Sequence, residues 1–215
     1  GIKLPTSEQG IGVSMGLERR KEKLNLETDT AFSTGDLFGQ GGPSLGVAGG
    51  YTVKEVFGEV RVPIMENRAF ADLLSISGSY RYSDYSTGKT TDSYGVGIEW
   101  APVKMAKFRG SYQRAARAAN VVELFTPASI GLYDNDEDPC AGASPSATAA
   151  QCARTGVTAA QYGLIPDSPA GQYNGLFGGN ANLNPEEADS FTLGLVLEPM
   201  KNLSITMDAF QIEVN

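Results

Sequence analysis

The chain has 215 residues, with 17 Lys and Arg against 25 Asp and Glu, a formal net charge of −8. Nucleic-acid binding needs a basic surface, so we expect no nucleic-acid partner. The absence of His excludes catalysis of the Ser-His-Asp or Cys-His type, and we expect no enzyme, no catalytic residues and no cofactor. No apolar run is long enough for a transmembrane helix, whereas 26 Gly favour short strands and turns.

Alternation of apolar and polar residues predicts an all-β fold, an antiparallel meander of about seven strands. These strands are predicted near 11–26, 52–62, 74–82 and 94–100, from about 108, at 191–197, and from 203. In the seventh strand the alternation slips at Ala209 and Phe210, where we expect a β-bulge.

One face of these strands is apolar, and the other carries Gly, Ser, Thr, Glu and Arg. Such polar residues are costly in a dry core but not in a water-filled or plugged lumen. On the apolar face, aromatic residues lie near the strand ends, as in the girdles of a transmembrane β-barrel: Tyr80, Tyr82, Tyr94, Trp100 and Phe108. Alternation alone fits a secreted or surface β-sandwich, a binding or adhesion module, equally well.

The connections differ in length and favour the barrel. Short Pro-containing turns are predicted at 63–68, 101–105 and 198–202, and the other connections at 32–50, 86–89 and about 126–189. Outer-membrane barrels have short periplasmic turns and longer outside loops, so the 126–189 loop is expected to be extracellular. Seven strands do not close such a barrel, and neither end resembles a natural terminus. We therefore expect 1–215 to be part of a barrel domain, with the remaining strands elsewhere in a longer chain.

Cys140 and Cys152 lie twelve positions apart in a polar, turn-rich part of this loop. We predict a disulfide, which constrains the loop by about 3 kcal/mol and indicates an oxidising compartment; the alternative is two free thiols. The neighbouring acidic run at 134–138 resembles the start of a calcium loop. However, Pro139 and Pro145 occupy the positions of its glycine and final glutamate. We expect a solvated acidic loop and no metal site.

Two groups of residues are candidates for ligand binding. Arg114 and Arg117 lie where the fifth strand nears the outer rim, and suit an anionic or polyhydroxyl ligand. Their alternative role is structural pairing with carboxylates such as Glu99. Aromatic and amide groups in the long loop suit a sugar, the alternative being packing of the loop on itself: Tyr133, Tyr162, Tyr173 and Asn180.

Two motifs around the long loop carry a family resemblance. Residues 114–125 read RAARAANVVELF, which resembles the box R-x-x-R-A-P-x-x-x-E-L-F of TonB-dependent outer-membrane receptors. Residues 179–186 read GNANLNPE, which resembles their box G-N-P-x-L-x-P-E. Ala119 and Ala181 replace prolines of the pattern, but the order, spacing and flanking strands fit.

The resemblance implies an active transporter in the outer membrane of a Gram-negative bacterium. Such receptors contact membrane lipid and import a scarce small-molecule nutrient with energy supplied by TonB, which contacts a box before a plug domain. Neither that box nor a plug lies in this sequence. Without a His between the two motifs, haem uptake is disfavoured, and the ligand is expected to be an oligosaccharide or a siderophore. A passive porin, which needs neither plug nor motifs, is the further alternative.

Overall fold

A computed structural model describes every residue from Gly1 to Asn215. The strands are β1 (Gly12–Leu26), β2 (Val47–Arg68), β3 (Ala71–Tyr85), β4 (Thr90–Val103), β5 (Ala106–Arg117), β6 (Ser129–Asp134), β7 (Gln172–Phe177), β8 (Glu186–Met200) and β9 (Leu203–Val214). The helices are short: α1 (Thr30–Thr34), α2 (Val121–Phe125) and α3 (Ala149–Cys152). None of them has the length and apolar character needed to cross a membrane.

The fold is all-β, and its main element is the predicted seven-stranded meander. The strand order is β1-β2-β3-β4-β5-β8-β9, and each strand pairs with its neighbours in an antiparallel sheet. β6 and β7 form a separate hairpin that the sequence analysis did not predict. This hairpin lies inside the connection from β5 to β8, residues 118–185, which we call the long excursion.

The chain forms two compact units. The first comprises 1–24, 49–124 and 181–215 and contains the seven-stranded sheet. The second comprises 25–48 and 125–180 and contains α1, the β6–β7 hairpin and α3.

The predicted Pro-containing turns are wrong in extent, because the strands continue through most of them. β2 runs to Arg68, and only Ala69 and Phe70 separate it from β3. Pro63 stays within β2, where the pairing with β3 shifts between Pro63 and Met65. Proline lacks the N–H that a sheet ladder uses, and an irregularity inside the strand accommodates it.

The bulge predicted in the last strand is also wrong. Pairing of β8 with β9 is regular from Leu197↔Ile205 to Ala188↔Val214. The shift lies instead between Leu197 and Met200, next to a proline. Phe210 therefore pairs with Thr192 and stays on the polar side of the sheet.

Register across the sheet separates two faces, as the alternation predicted. One row joins Val60, Gly78, Val96, Tyr112 and Phe191, and we call this side the apolar face. The adjacent row of the same five strands lies on the other side of the sheet, which we call the polar face. Its residues are Arg61, Ser77, Gly97, Ser111 and Thr192. Opposed residues of neighbouring strands share a face, so the segregation extends over five strands.

Aromatic residues mark both ends of the apolar face. At the end with the short turns, the rings of Trp100 and Phe108 stack with centroids 5.5 Å apart. The Trp100 indole N–H donates to the carbonyl of Phe70 in the β2–β3 turn, at 2.9 Å. Towards the other end, Tyr80 and Tyr94 pair across β3 and β4. These positions agree with the predicted girdles, in which amphipathic rings occupy the two membrane interfaces.

Candidate functional site

Ion pairs on the polar face link the first three strands. The buried Glu55 carboxylate accepts hydrogen bonds from Arg81 at 3.1 Å and from Ser83 at 2.6 Å. Arg20 of β1 lies 3.7 Å from the same carboxylate. Arg81 also covers the Phe57 ring, 4.4 Å from its centroid. Shielding a carboxylate from water requires such compensation, and the pairing fixes the register of β1 to β3.

Further along the polar face, the pairs follow the same cross-strand pattern. Arg109 of β5 makes a bidentate pair with Asp208 of β9, at 2.7 and 2.8 Å, reaching over the glycine at 194 on β8. Glu99, expected as a partner of Arg114 or Arg117, instead lies 3.5 Å from Arg61. The polar face is therefore charged but internally compensated at these positions.

Arg117 joins the two motifs of the long excursion. Its guanidinium donates to Glu123, in the first motif, at 3.1 and 3.0 Å. It also donates to Glu186, which closes the second motif, with two bonds of 2.9 Å. The residue where the chain leaves β5 is thereby tied to the residue where it enters β8.

Glu123 has a second role at the start of α2. The Asn120 side chain accepts from the Glu123 N–H at 2.9 Å, and the Glu123 carboxylate accepts from the Asn120 N–H at 2.8 Å. This reciprocal arrangement is a capping box. The Arg117 guanidinium, and then the Asn120 N–H, lower the pKa of Glu123 below its ordinary range. The charged carboxylate thus stabilises both the helix and the motif junction.

Arg114 lies on the other side of the sheet from Arg117. It pairs in register with Tyr94 and Asp189, so it belongs to the apolar face near the excursion end. Its guanidinium donates to Asp189 at 2.9 and 2.6 Å, and Tyr112 donates to the same carboxylate at 2.7 Å. Arg114 and Arg117 therefore lie on opposite faces of the sheet, and both form ion pairs with carboxylates. Their ligand-binding roles stay predictions.

The hairpin in the long excursion brings together two of the predicted aromatic residues. Tyr133 and Tyr173 pair across β6 and β7, with ring centroids 6.1 Å apart. A Cβ atom on Gly175 would lie 2.9 Å from the Phe177 ring, so the glycine makes room for this cluster. The Tyr173 hydroxyl accepts the N–H of Asp138 at 3.0 Å. In the resulting aromatic cluster Tyr133 and Phe177 are exposed and Tyr173 is half-buried, and its ligand remains a prediction.

Tyr162 belongs to a different part of the excursion, next to the disulfide. Cys140 and Cys152 form the predicted bond, and the Cys152 side chain is fully buried. The Tyr162 hydroxyl donates to the carbonyl of Ala147 at 2.8 Å, inside the cross-linked segment. Asn180, also predicted as a ligand residue, is exposed at the start of the return to β8.

The carboxylates that pair with Arg109 and Arg114 carry no signal in the sequence pattern. Asp208 interrupts the apolar run of β9, and Asp189 precedes that of β8, but only the register shows their partners. Glu66 was missed as well. It is buried and accepts from Ser7 and from the backbone of residues 8 and 9, at 2.6 to 2.7 Å. It thereby holds the segment before β1.

Comparison with known proteins identifies the family. A family model described as TonB dependent receptor-like, beta-barrel, matches residues 10–215, and the chain belongs to this family. The family is one of transport receptors, which fits the expectation that the chain is not an enzyme. No curated protein sequence matches the chain.

Two solved structures share the fold. The siderophore receptor PirA from Acinetobacter baumannii is 13% identical, with a TM-score of 0.60 over 97% of this chain. A mutant of the ferric enterobactin receptor PfeA from Pseudomonas aeruginosa, in complex with enterobactin, is 15% identical, with a TM-score of 0.60 over 95% of this chain. The match covers 25% and 24% of those chains, so this chain spans about a quarter of their length.

Proposed function

We propose that the chain is part of the barrel of a Gram-negative outer-membrane receptor that imports a scarce nutrient with energy supplied by TonB. The observation that carries the proposal is the two-faced sheet of a chain that belongs to the TonB-dependent receptor β-barrel family. Its apolar face suits lipid, and its polar face suits a plugged lumen. Membership of that family also favours the barrel over the β-sandwich alternative.

The connections support an orientation in the membrane. Short turns join β2 to β3, β4 to β5 and β8 to β9 at one end of the strands, whereas the long excursion begins at the opposite end of β5. Outer-membrane barrels place long loops outside the cell. The excursion is therefore the extracellular part, and its disulfide suits that oxidising environment.

The ligand is an oligosaccharide or a siderophore. The Tyr133 and Tyr173 rings favour the flat faces of a sugar or an aromatic chelator, and the amide of Asn180 offers hydrogen bonds. Of the two structural neighbours, one is a siderophore receptor by name and the other a ferric enterobactin receptor. Arg117 links Glu123 of the first motif to Glu186 of the second, so ligand binding by its guanidinium would require displacement of one of these carboxylates.

Uptake by the full-length receptor in its native host tests the proposal. A deletion strain should lose accumulation of one labelled oligosaccharide or ferric siderophore, and the gene should restore it only in a strain with TonB. Restoration without TonB would indicate the passive porin instead. Absence of the protein from the outer-membrane fraction would overturn the localisation.

The ligand residues need a separate measurement on the same receptor. Tyr133→Ala combined with Tyr173→Ala is expected to weaken ligand binding at unchanged protein abundance. Tyr133→Phe combined with Tyr173→Phe is the matched control, since it keeps both rings and removes only the hydroxyls, of which that of Tyr173 accepts from the Asp138 N–H. Equal binding by all three proteins would remove the aromatic cluster from the site.

A further inference from the structure

Four cations form an unpaired group at one end of the apolar face. On β1, the ion pairs of Glu18, Arg20 and Glu22 assign these residues to the polar face. Successive side chains of a strand point to opposite faces. The residues between and after them therefore belong to the apolar face and continue the line of Val13, Met15 and Leu17: Arg19, Lys21 and Lys23.

Lys54 of β2 completes this group, which we call the basic stripe. Lys54 opposes Asp84 on β3, one residue from the polar-face pair Glu55 and Ser83, so it lies on the apolar face. A Cβ on Gly50 would lie 3.5 Å from the Cβ of Lys23, and counting four residues along both antiparallel strands brings Lys54 opposite Arg19. Neighbouring cations along β1 are about 7 Å apart.

Within this chain, no carboxylate lies within ion-pair distance of the basic stripe. All four side chains are exposed, and none takes part in an ion pair; Lys54 forms none even with its register neighbour Asp84. By contrast, five arginines of the polar face pair with carboxylates. Like charges opposed across strands destabilise a sheet. An external anion would relieve this repulsion.

The position of the basic stripe defines the kind of anion. The exposed apolar residues Val13, Met15 and Leu17 come first along β1, and the cations follow towards the end that carries the long connections. A lipid whose acyl chains lie against the apolar residues carries its headgroup at the height of the cations. Lys and Arg are the side chains that bind phosphate.

We propose that Arg19, Lys21, Lys23 and Lys54 bind the phosphate groups of a phosphorylated glycolipid in the outer leaflet. The proposal rests on the proposed function, because it needs the apolar face in a membrane with the long connections outside. Several cations within reach of one headgroup suit a lipid that carries more than one phosphate. The chain's net charge of −8 does not prevent binding, because charges beyond about 10 Å are screened.

Binding of lipid A to the delipidated full-length receptor, in an uncharged detergent, tests this inference. The probes are bisphosphorylated lipid A, dephosphorylated lipid A and inorganic phosphate. The stripe variant neutralises the four cations: Arg19→Gln, Lys21→Gln, Lys23→Gln and Lys54→Gln. The control removes the same charge at or beside the short turns: Arg68→Gln, Lys104→Gln, Lys107→Gln and Lys201→Gln.

We expect the stripe variant to bind bisphosphorylated lipid A at least about tenfold more weakly than the control variant does. Equal affinities would overturn the inference. It would also be overturned if inorganic phosphate competed as well as the lipid, or if unmodified receptor bound dephosphorylated lipid A equally tightly. The last comparison needs no variant, so misfolding does not affect it. Fractionation of native cells tests the proposed function separately. A heat-modifiable band of the protein in the outer-membrane fraction would support that function whatever the result with lipid A.

Discussion

Removing the disulfide of the long excursion is expected to loosen one segment and leave the sheet intact. Cys140 and Cys152 are twelve residues apart, and the chain-entropy model gives about 3 kcal/mol for a loop of this size. Lowering the opening free energy of the segment by that amount accelerates amide exchange through such openings roughly a hundredfold.

The local structure explains why the effect should be confined. Cys140, Ala141 and Cys152 are the buried apolar residues of the cross-linked segment, whose helix α3 has only four residues. A few hydrogen bonds complete it, such as those from the Ala147 N–H to Pro139 and from the Tyr162 hydroxyl to Ala147. With so little apolar burial, the covalent bond carries much of the segment's stability.

Hydrogen exchange of the full-length receptor, measured by mass spectrometry, checks this prediction. Cys140→Ser combined with Cys152→Ser avoids a lone thiol, and reduction of the unmodified receptor should give the same pattern. Faster exchange is expected in peptides covering 139–165, while peptides from β3 and β4 stay unchanged and serve as the internal control. Unchanged exchange in 139–165, or exchange that rises across the sheet, would refute the reasoning.

Three further predictions concern the two faces and the motif junction. Val96→Lys on the apolar face should destabilise the membrane-inserted barrel by about 2–4 kcal/mol, whereas Ser77→Lys on the polar face should not; equal midpoints in denaturant would contradict a lipid-facing surface. Gly194→Ala should cost about 1–3 kcal/mol by the same measurement, because its Cβ would clash with the Asp208 carboxylate and the Arg109 side chain of the ion pair above it. The pKa of Glu123 is lowered from its ordinary value of 4.5, so its contribution is complete above that pH and is lost as the pH falls through the lower folded pKa. Exchange at 120–125, corrected for intrinsic rates, should rise only in that acidic range, and Arg117→Gln should weaken the dependence while the Asn120 N–H preserves part of it.

The strands were predictable because alternation is a local signal. Leu74, Ile76 and Tyr80 share a face in the structure as they do in the sequence pattern. The turn boundaries were less predictable, since Pro63 stands inside a long strand and is accommodated by a register shift. Proline lacks a backbone N–H, and both a turn and an irregular strand can accommodate this. A proline in the sequence therefore does not distinguish the two.

The partners of the site residues required the register. Arg114 and Asp189 are 75 residues apart, and nothing in the local pattern connects them. The junction at Arg117 was partly predictable. The two motifs contain Arg117, Glu123 and Glu186, but their sequence does not indicate that these three side chains meet. The β6–β7 hairpin escaped prediction because its six-residue strands, each with a glycine inside it (Gly131 and Gly175), are too short for a clear alternation.

The charges of the two faces support one physical interpretation of the sheet. On the polar face, cations and carboxylates meet across strands, as in Arg109 with Asp208, which compensates charge in a confined lumen. On the apolar face, Arg114 pairs with Asp189, while the basic stripe on β1 and β2 stays unpaired. Solvation by water accounts for unpaired cations on a surface, but the exposed Val13, Met15 and Leu17 beside them on β1 need a further physical reason. A sheet with lipid along its apolar face and phosphate at its outer rim provides one, because the missing counterions are then those of the membrane.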